Sequence, residues 1–330
     1  MNLLDAMRYL AALDQHRHFG RAASACHITQ PALSNALRAL EEQLGVAIVR
    51  RGRSYEGLTP EGERVLETAH RMLREHETLR QHLHSSADDP RGTIVIGSVP
   101  TAVPVASRFA ARLQARHPGI LPVVRSLASP EIESGIDNLS LDLGLGYTER
   151  MSRRAGRLEA VPQYVESYYL LRRSQAKPGG SAVRLGAPMT WREAATYPLC
   201  LLTPEMHNRS IVDGAFRDAG VTVRPAIETN AVVAIVLSVL DGQVSAVVPG
   251  SLLTLAHAHP ELEAQPLLAP DVRTPIGFMV ATSTRPALAL AAALRLARDP
   301  AWLISARALG ALGPAPTLAP TREGPTANAS

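Results

Sequence analysis

The sequence predicts three parts: a small N-terminal all-α domain with a winged helix-turn-helix, a long linker helix, and a two-lobed α/β domain. Three observations carry that expectation. Near the N-terminus an apolar stripe at helical spacing follows a capped three-residue turn. A second capped helix starts at Thr59 and stays helical in pattern to about residue 84. From residue 92 onward, short β-rich runs alternate with amphipathic segments, the pattern of an α/β domain with a largely parallel sheet.

Composition sets the bounds. A chain of 330 residues is too long for one compact core. Apolar residues make up 46% and charged residues 19%, the balance of an ordinary globular protein. The formal charge is only +4, so basic character has to be local if it is to serve nucleic acid. Lysine occurs once, at Lys177, and arginine supplies nearly all the positive charge; its planar fork suits phosphate and guanine. The two cysteines, Cys26 and Cys200, form neither a disulfide framework nor a metal site, and no cofactor is expected. The N-terminus lacks the basic-then-apolar order of a signal peptide, and no apolar stretch reaches the roughly 20 residues of a membrane span. A cytoplasmic chain with no membrane association is expected.

Leu3, Met7, Leu10 and Leu13 are spaced for a first helix, and the Ala-rich 20–26 for a short second one. His27-Ile28-Thr29 interrupts it. Thr29 can cap the next helix and Pro31 tolerates its first turn. Ala32, Leu33, Ala36, Leu37, Leu40 and Leu44 then form one apolar stripe, with Gln30, Ser34, Asn35, Arg38 and Glu41 opposite. Two helices around a three-residue turn, the second polar outward, is the arrangement that lays a recognition helix in the major groove of double-stranded DNA. Gln30 and Arg38 are candidates for base edges, and Thr29, Pro31 and Ser34 for apolar and phosphate contacts. Residues 47–58 read as two short strands around Gly52, a wing whose Arg50, Arg51 and Arg53 can reach phosphate or a minor groove.

Thr59-Pro60-Glu61 starts the linker helix, on which Val65, Ala69, Met72, His76, Leu79 and Leu83 form a heptad seam suited to a two-helix dimer. Residues 85–92 read as a hinge. Beyond it, strands are expected at 93–97, 120–126 and 141–146, with helices at 105–116 and 129–138. Residues 161–171 cross into a second lobe with strands at 199–203, 223–228 and 244–248 and helices at 207–219 and 231–240. Residues 267–280 return, and 285–309 form one closing helix. The expected domains are 1–59, 60–91 and 92–309, the last divided into lobe I (92–163 and 269–309) and lobe II (164–268). The Pro/Ala/Thr-rich tail, 310–330, is expected to be disordered.

Ala22-Ala23, Gln30-Pro31, Ser34, Leu40-Glu41, Leu44-Gly45, Arg51, Leu58-Thr59 and Gly62 fall in order at the spacings of one family. By these residues the chain resembles the LysR-type transcriptional regulators; Val49 departs from their usual Phe but keeps the hydrophobicity. The resemblance implies a periplasmic-binding-protein-like, two-lobed effector domain. It also implies a homo-oligomer, dimer or tetramer, that works with RNA polymerase at a promoter and answers to a small-molecule effector.

In open α/β sheets ligands sit beyond the carboxyl ends of strands, at helix N-termini. Five strand-to-helix junctions can be read here, at 98–102, 127–130, 203–208, 229–230 and 249–251. On the implied fold they converge on the interlobe cleft, making Ser98, Pro100, Thr101, Ala102, Ser129, Thr203, His207, Asn230 and Pro249 candidates, with Tyr147 just past a strand end. Thr, Ser and Asn at such points also simply cap helices. Hydroxyls, helix N-termini and one imidazole favour a small anion, a carboxylate or similar oxyanion.

Two finer resemblances point in different directions. Gln15-His16-Arg17-His18-Phe19 is similar to a segment of many peroxide sensors, which use a cysteine pair in the second lobe; residues 202–219 here contain no cysteine. Residues 201–249 instead look like the second lobe of the cyanate-operon regulator group. A two-lobed solute-binding protein shares the fold but not the N-terminal region. An enzyme is disfavoured because no nucleophile elbow, metal-ligand cluster or Gly-rich phosphate loop is present.

Overall fold

A computed structural model describes residues 2–52, 55–84, 89–150, 158–175, 181–282 and 286–310. Helices α1 (Leu3–His16), α2 (Phe19–Ala25) and α3 (Gln30–Leu44) close around Met7, Leu10, Leu13, Ala22, Ala23, Leu33, Leu37 and Leu40, all buried. The buried stripe on α3 is narrower than expected: Ala32 and Leu44 are exposed, because Leu33, Leu37 and Leu40 alone fill the space against α1 and α2. Strands β1 (Val49–Arg51) and β2 (Tyr55–Leu58) pair antiparallel, Val49 opposite Leu58. Glu41 was expected on the outward polar face. Its Oε1 instead accepts from the amides of Ile48 and Val49, at 2.9 and 3.0 Å, and so fixes the start of the wing to α3. Gly62 closes the same corner, since a Cβ there would collide with the Ile48 carbonyl oxygen.

Helix α4 (Pro60–His84) is capped by Thr59, whose Oγ1 accepts from the Gly62 amide at 2.9 Å. The expected heptad seam is divided between two fates. Ala69 is fully buried in the N-terminal core, with Val65 and Met72 packed against it. His76 is exposed, as are Leu79 and Leu83 at 56% and 69%. The helix needs its first half for its own domain, because a short helical unit cannot close its core without it. Only the second half is open to a partner. Midway, Arg74 forms an ion pair with Asp142, whose side chain is almost wholly buried and accepts from the Val95 amide at 2.7 Å.

Lobe I contains β3 (Gly92–Ser98), a 3-10 turn (Pro100–Ala102), α5 (Val103–Arg116), β4 (Ile120–Ser126), α6 (Ser129–Asp137) and β5 (Leu143–Tyr147). The chain then runs through β6 (Leu158–Glu166) into β7 (Tyr168–Arg173), changing sheets at Ser167 where a boundary after residue 163 was expected. β6 stays paired with the lobe I sheet as far as Glu166. Lobe II adds β8 (Arg184–Leu185), β9 (Met189–Thr190), α7 (Trp191–Ala194), β10 (Leu199–Leu202), α8 (His207–Asp218), β11 (Ile227–Thr229), α9 (Val232–Asp241) and β12 (Ser245–Pro249). A 3-10 turn (Gly250–Leu252), α10 (Leu253–Ala256) and β13 (Leu262–Leu268) follow, before β14 (Thr274–Ala281) returns to lobe I. The 184–194 elements had no expectation; β8 and β9 are two residues each, too short for a period to show.

The sheets run β4-β3-β5-β14-β6 in lobe I and β11-β10-β12-β7-β13-β8 in lobe II, β9 pairing with β13. Each is mixed rather than largely parallel. β3, β4 and β5 are parallel, as are β10, β11 and β12, but the strands that carry the chain between lobes join antiparallel. The expected single closing helix is two, α11 (Leu288–Ala297) and α12 (Pro300–Gly310). Pro300 lacks an amide hydrogen and Asp299 Oδ1 accepts from the Ala301 amide at 2.8 Å, so one helix ends and the next is capped within three residues. Phe109 meets Phe278 at a tilt and Trp302 edge-on in the lobe I core; Trp191 and Phe216 fill one face of the lobe II sheet. The tail from 311 and the hinge at 85–88 lie outside the described residues.

Candidate functional site

On the N-terminal unit, Thr29 Oγ1 accepts from the Ala32 amide at 3.4 Å and starts α3. Thr29, Gln30, Pro31 and Arg38 are all exposed along the outer edge of that helix, and Ser34 is half-buried. Arg50 is exposed on β1. Among the described residues no ion pair engages Arg38 or Arg50, which leaves both guanidinium groups available to phosphate or base edges. Arg51 contributes backbone to β1 while its side chain, and the whole of Arg53, lie outside the described residues. Ala32, expected on the apolar stripe, is exposed on the same edge as a small apolar neighbour.

Between the lobes lies a narrow cavity, with room of about 10 Å³ for a water-sized sphere, lined by Val99, Pro100, Thr101, Ala128, Ser129 and Tyr147 from lobe I and Leu202, Met206, His207 and Asn208 from lobe II. Three of the five expected junctions converge here: the turn before α5, the start of α6 and the start of α8. Thr101 Oγ1 and the Tyr147 hydroxyl are 3.1 Å apart. Burial, with the Glu166 carboxylate nearby, holds the Tyr147 phenol far above its ordinary range, so it acts as a neutral hydroxyl. The Tyr147 ring meets the His207 ring edge-on at 4.8 Å between centroids. His207 is held from lobe I by Glu149, at 3.3 Å from Nε2, and by Arg150, at 3.4 Å from Nδ1; Arg150 is itself paired with Glu133 at 2.6 Å. Asn208 Nδ2 donates to the Tyr168 hydroxyl at 3.3 Å.

Ser129 stands apart. It is 5% exposed, sits in the first turn of the nine-residue α6, and its hydroxyl has no hydrogen-bond partner. The capping work at α6 is done by Glu131, whose Oε2 accepts from the Ala128 amide at 2.7 Å. A buried hydroxyl left unpaired beside free helix amides costs stability unless something fills the space.

The other sequence candidates do not line the cavity. Ser98 is fully buried and donates to the Val99 carbonyl, and Ala102 is packed in the lobe I core. Thr203 donates to Glu205 at 2.6 Å, Asn230 is exposed, and Pro249 is a buried strand residue opposite Tyr168. The reason is geometric: Asn230, after β11, opens to solvent, while the turn after β12 is packed directly onto lobe I through Ser251 and leaves no open space at Pro249. Val99, Ala128, Leu202, Met206 and Asn208 were missed, four of them apolar residues that carry no chemical signal in sequence.

A helix-turn-helix unit with a wing, joined by a long helix to a two-lobed domain with a small cleft, defines the class of a ligand-responsive DNA-binding regulator. The description "LysR substrate binding domain" matches residues 87–301, and "Bacterial regulatory helix-turn-helix protein, lysR family" matches residues 4–63. The chain belongs to the LysR family of transcription regulators. It is 39% identical over 104 residues to the hydrogen peroxide-inducible genes activator of Pectobacterium carotovorum, a match covering 32% of this chain and 34% of that one. The chain thus spans about a third of that relative's length. A probable hydrogen peroxide-inducible genes activator of Mycobacterium xenopi is 31% identical over 168 residues, covering 51% of this chain and 87% of the other. In fold the chain is similar to a full-length OxyR variant of Pseudomonas aeruginosa, with TM-score 0.63, 23% identity and coverage of 90% and 98%. It is also similar to full-length CbnR complexed with target DNA, with TM-score 0.61, 20% identity and coverage of 89% and 98%.

Proposed function

We propose that this chain acts in the cytoplasm as a homo-oligomer on double-stranded promoter DNA, and that a small anionic metabolite bound between its lobes sets its action on RNA polymerase. In this reading Thr29, Gln30, Pro31, Ser34, Arg38, Arg50, Arg51 and Arg53 contact DNA, and Thr101, Ser129, Tyr147 and His207 contact the ligand. The observation that carries it is the unpartnered Ser129 hydroxyl, buried at the N-terminus of α6 and facing a cavity shared by both lobes. A helix N-terminus and neutral hydroxyls suit an oxyanion. The space is narrow, with room of about 10 Å³ for a water-sized sphere, close to that of one water, which favours a small ligand over a large one. A thermal-shift screen of small carboxylates and inorganic oxyanions tests it. A ligand at about 100 times its dissociation constant adds about 2.7 kcal/mol, and no response to any of them would remove the anion reading.

The peroxide-activator names of the relatives favour a second reading, sensing by cysteine oxidation. Cys200 weighs against it: the thiol is wholly buried on β10, burial raises its pKa, and α8 beyond it contains no cysteine.

A further inference from the structure

Glu166 ends β6 at the point where the chain leaves lobe I, and its side chain is fully buried. Its Oε1 lies 2.8 Å from Ser251 Oγ and 3.3 Å from the Tyr164 hydroxyl, while Oε2 has no hydrogen-bond partner. Ser251 belongs to lobe II, in the 3-10 turn after β12. The same Ser251 Oγ lies 2.9 Å from the carbonyl oxygen of Thr101, in lobe I. A serine hydroxyl has one hydrogen to donate. Facing two acceptors, it can satisfy only one while Glu166 is ionised. A proton on Glu166 removes the conflict: the acid donates to Ser251 Oγ, and Ser251 donates onward to the Thr101 carbonyl.

We propose that Glu166 and Ser251 form a proton-dependent clasp between the two lobes, closed while Glu166 is a neutral acid and weakened when it ionises. The neighbouring backbone is tight enough to transmit the difference. The Gly250 amide donates to the Ser167 carbonyl at 2.9 Å, and a Cβ on Gly250 would strike the Gly310 backbone.

The groups facing Glu166 favour the neutral form. They are Tyr147 on β5, Tyr164 on β6, Tyr168 on β7 and the carboxylate of Glu149. Burial raises all three phenols, so they remain uncharged hydroxyls. Burial also raises Glu166 from 4.5 to about 7; hydrogen bonds from Ser251 and Tyr164 oppose that rise and the like charge of Glu149 adds to it. Because the folded-state pKa is the higher one, the stabilising contribution is complete below about 4.5 and is lost as pH rises through about 7.

The test compares the full chain with Glu166→Gln, whose amide donates to Ser251 at every pH. The thermal midpoint of the wild-type protein should fall relative to the variant between about pH 4.5 and 7 and level off above, corresponding to a change on the order of a hundredfold in the folding equilibrium. Amide exchange at 101–103 and 250–253, corrected for its intrinsic pH dependence, should rise over the same range in the wild-type protein only. Parallel profiles for the two proteins overturn the clasp. If Glu166→Gln does not fold, a carbon-13 carboxyl titration of the wild-type protein decides. One glutamate titrating near neutrality, and moving downward in Ser251→Ala, supports the clasp; an upward move in that variant, or every glutamate titrating in the ordinary range, overturns it.

Discussion

The recognition unit and the interlobe cleft are built in opposite ways. Along α3 the exposed candidates Thr29, Gln30, Pro31 and Arg38 follow one another on a single helix, held by a core directly beneath them. The cleft draws Thr101, Ser129, Tyr147 and His207 from four separate elements of two lobes. A site carried by one helix inherits its geometry from local periodicity. A site assembled from junctions inherits it from sheet order and from where the chain changes lobes.

The contrast can be broken first at the joint between the two regions. Arg74→Ala leaves Asp142 buried without its cation, and removing one partner of a buried pair costs about 3–5 kcal/mol. The thermal midpoint should drop strongly, while a chain ending before residue 92 should be indifferent to the change. An unchanged midpoint in the full chain would mean that α4 is not held to lobe I through this pair.

A smaller loss is expected on DNA. Gln30→Ala and Arg38→Ala should each weaken specific operator binding by roughly 1–3 kcal/mol, and Arg50→Ala should lower specific and non-specific binding together while reducing the salt slope. Electrophoretic titrations at several salt concentrations separate the two behaviours. Equal losses on specific and random DNA for Gln30→Ala would move it from base reading to backbone positioning.

How much was legible follows from the same contrast. The caps at Thr29 and Thr59 and the cores of α1 to α3 could be read because capping and helical periodicity are local. The split of the closing helix was also written locally, in Asp299-Pro300, and was overlooked. Glu41 could not be placed from its helix face alone, since its partners are wing amides seven and eight residues away. In the cleft, Ser, Thr and Asn at every junction looked alike. Only the sheet order separated Ser129, which faces the cavity, from Asn230, which faces solvent, and Thr203, which bonds Glu205. Half of the linker seam was misassigned because a heptad does not say which molecule supplies the opposing surface.

Within the cleft, Ser129→Ala sharpens the distinction between capping and ligand binding. Glu131 already serves the helix start, and the serine hydroxyl has no protein partner, so stability without ligand should change little. Affinity for an anionic effector should fall by about 1.5–3 kcal/mol, the loss of one hydrogen bond to a charged group. Thr101→Val should give a similar loss. Calorimetric titration with whichever acid shifts the melting curve measures both, and an unchanged affinity in Ser129→Ala would remove it from the site.

The smallest effect is expected at Cys200, and it decides between the two modes of sensing. The side chain is wholly buried on β10 within the lobe II core, where burial raises the thiol pKa and a Ser238 hydrogen bond opposes that rise only in part. A thiol kept protonated and away from solvent is a poor reductant for peroxide, because the thiolate is the reactive form. The other cysteine, Cys26, closes α2 in the N-terminal unit, so the chain holds no second cysteine in the effector domain to resolve a sulfenic acid. Cys200→Ala removes little more than one buried sulfur and should leave promoter activation by effector unchanged, with a modest stability loss of about 1 kcal/mol. Activation by hydrogen peroxide that is present in the wild-type protein and lost in Cys200→Ala would replace the binding model with an oxidative one.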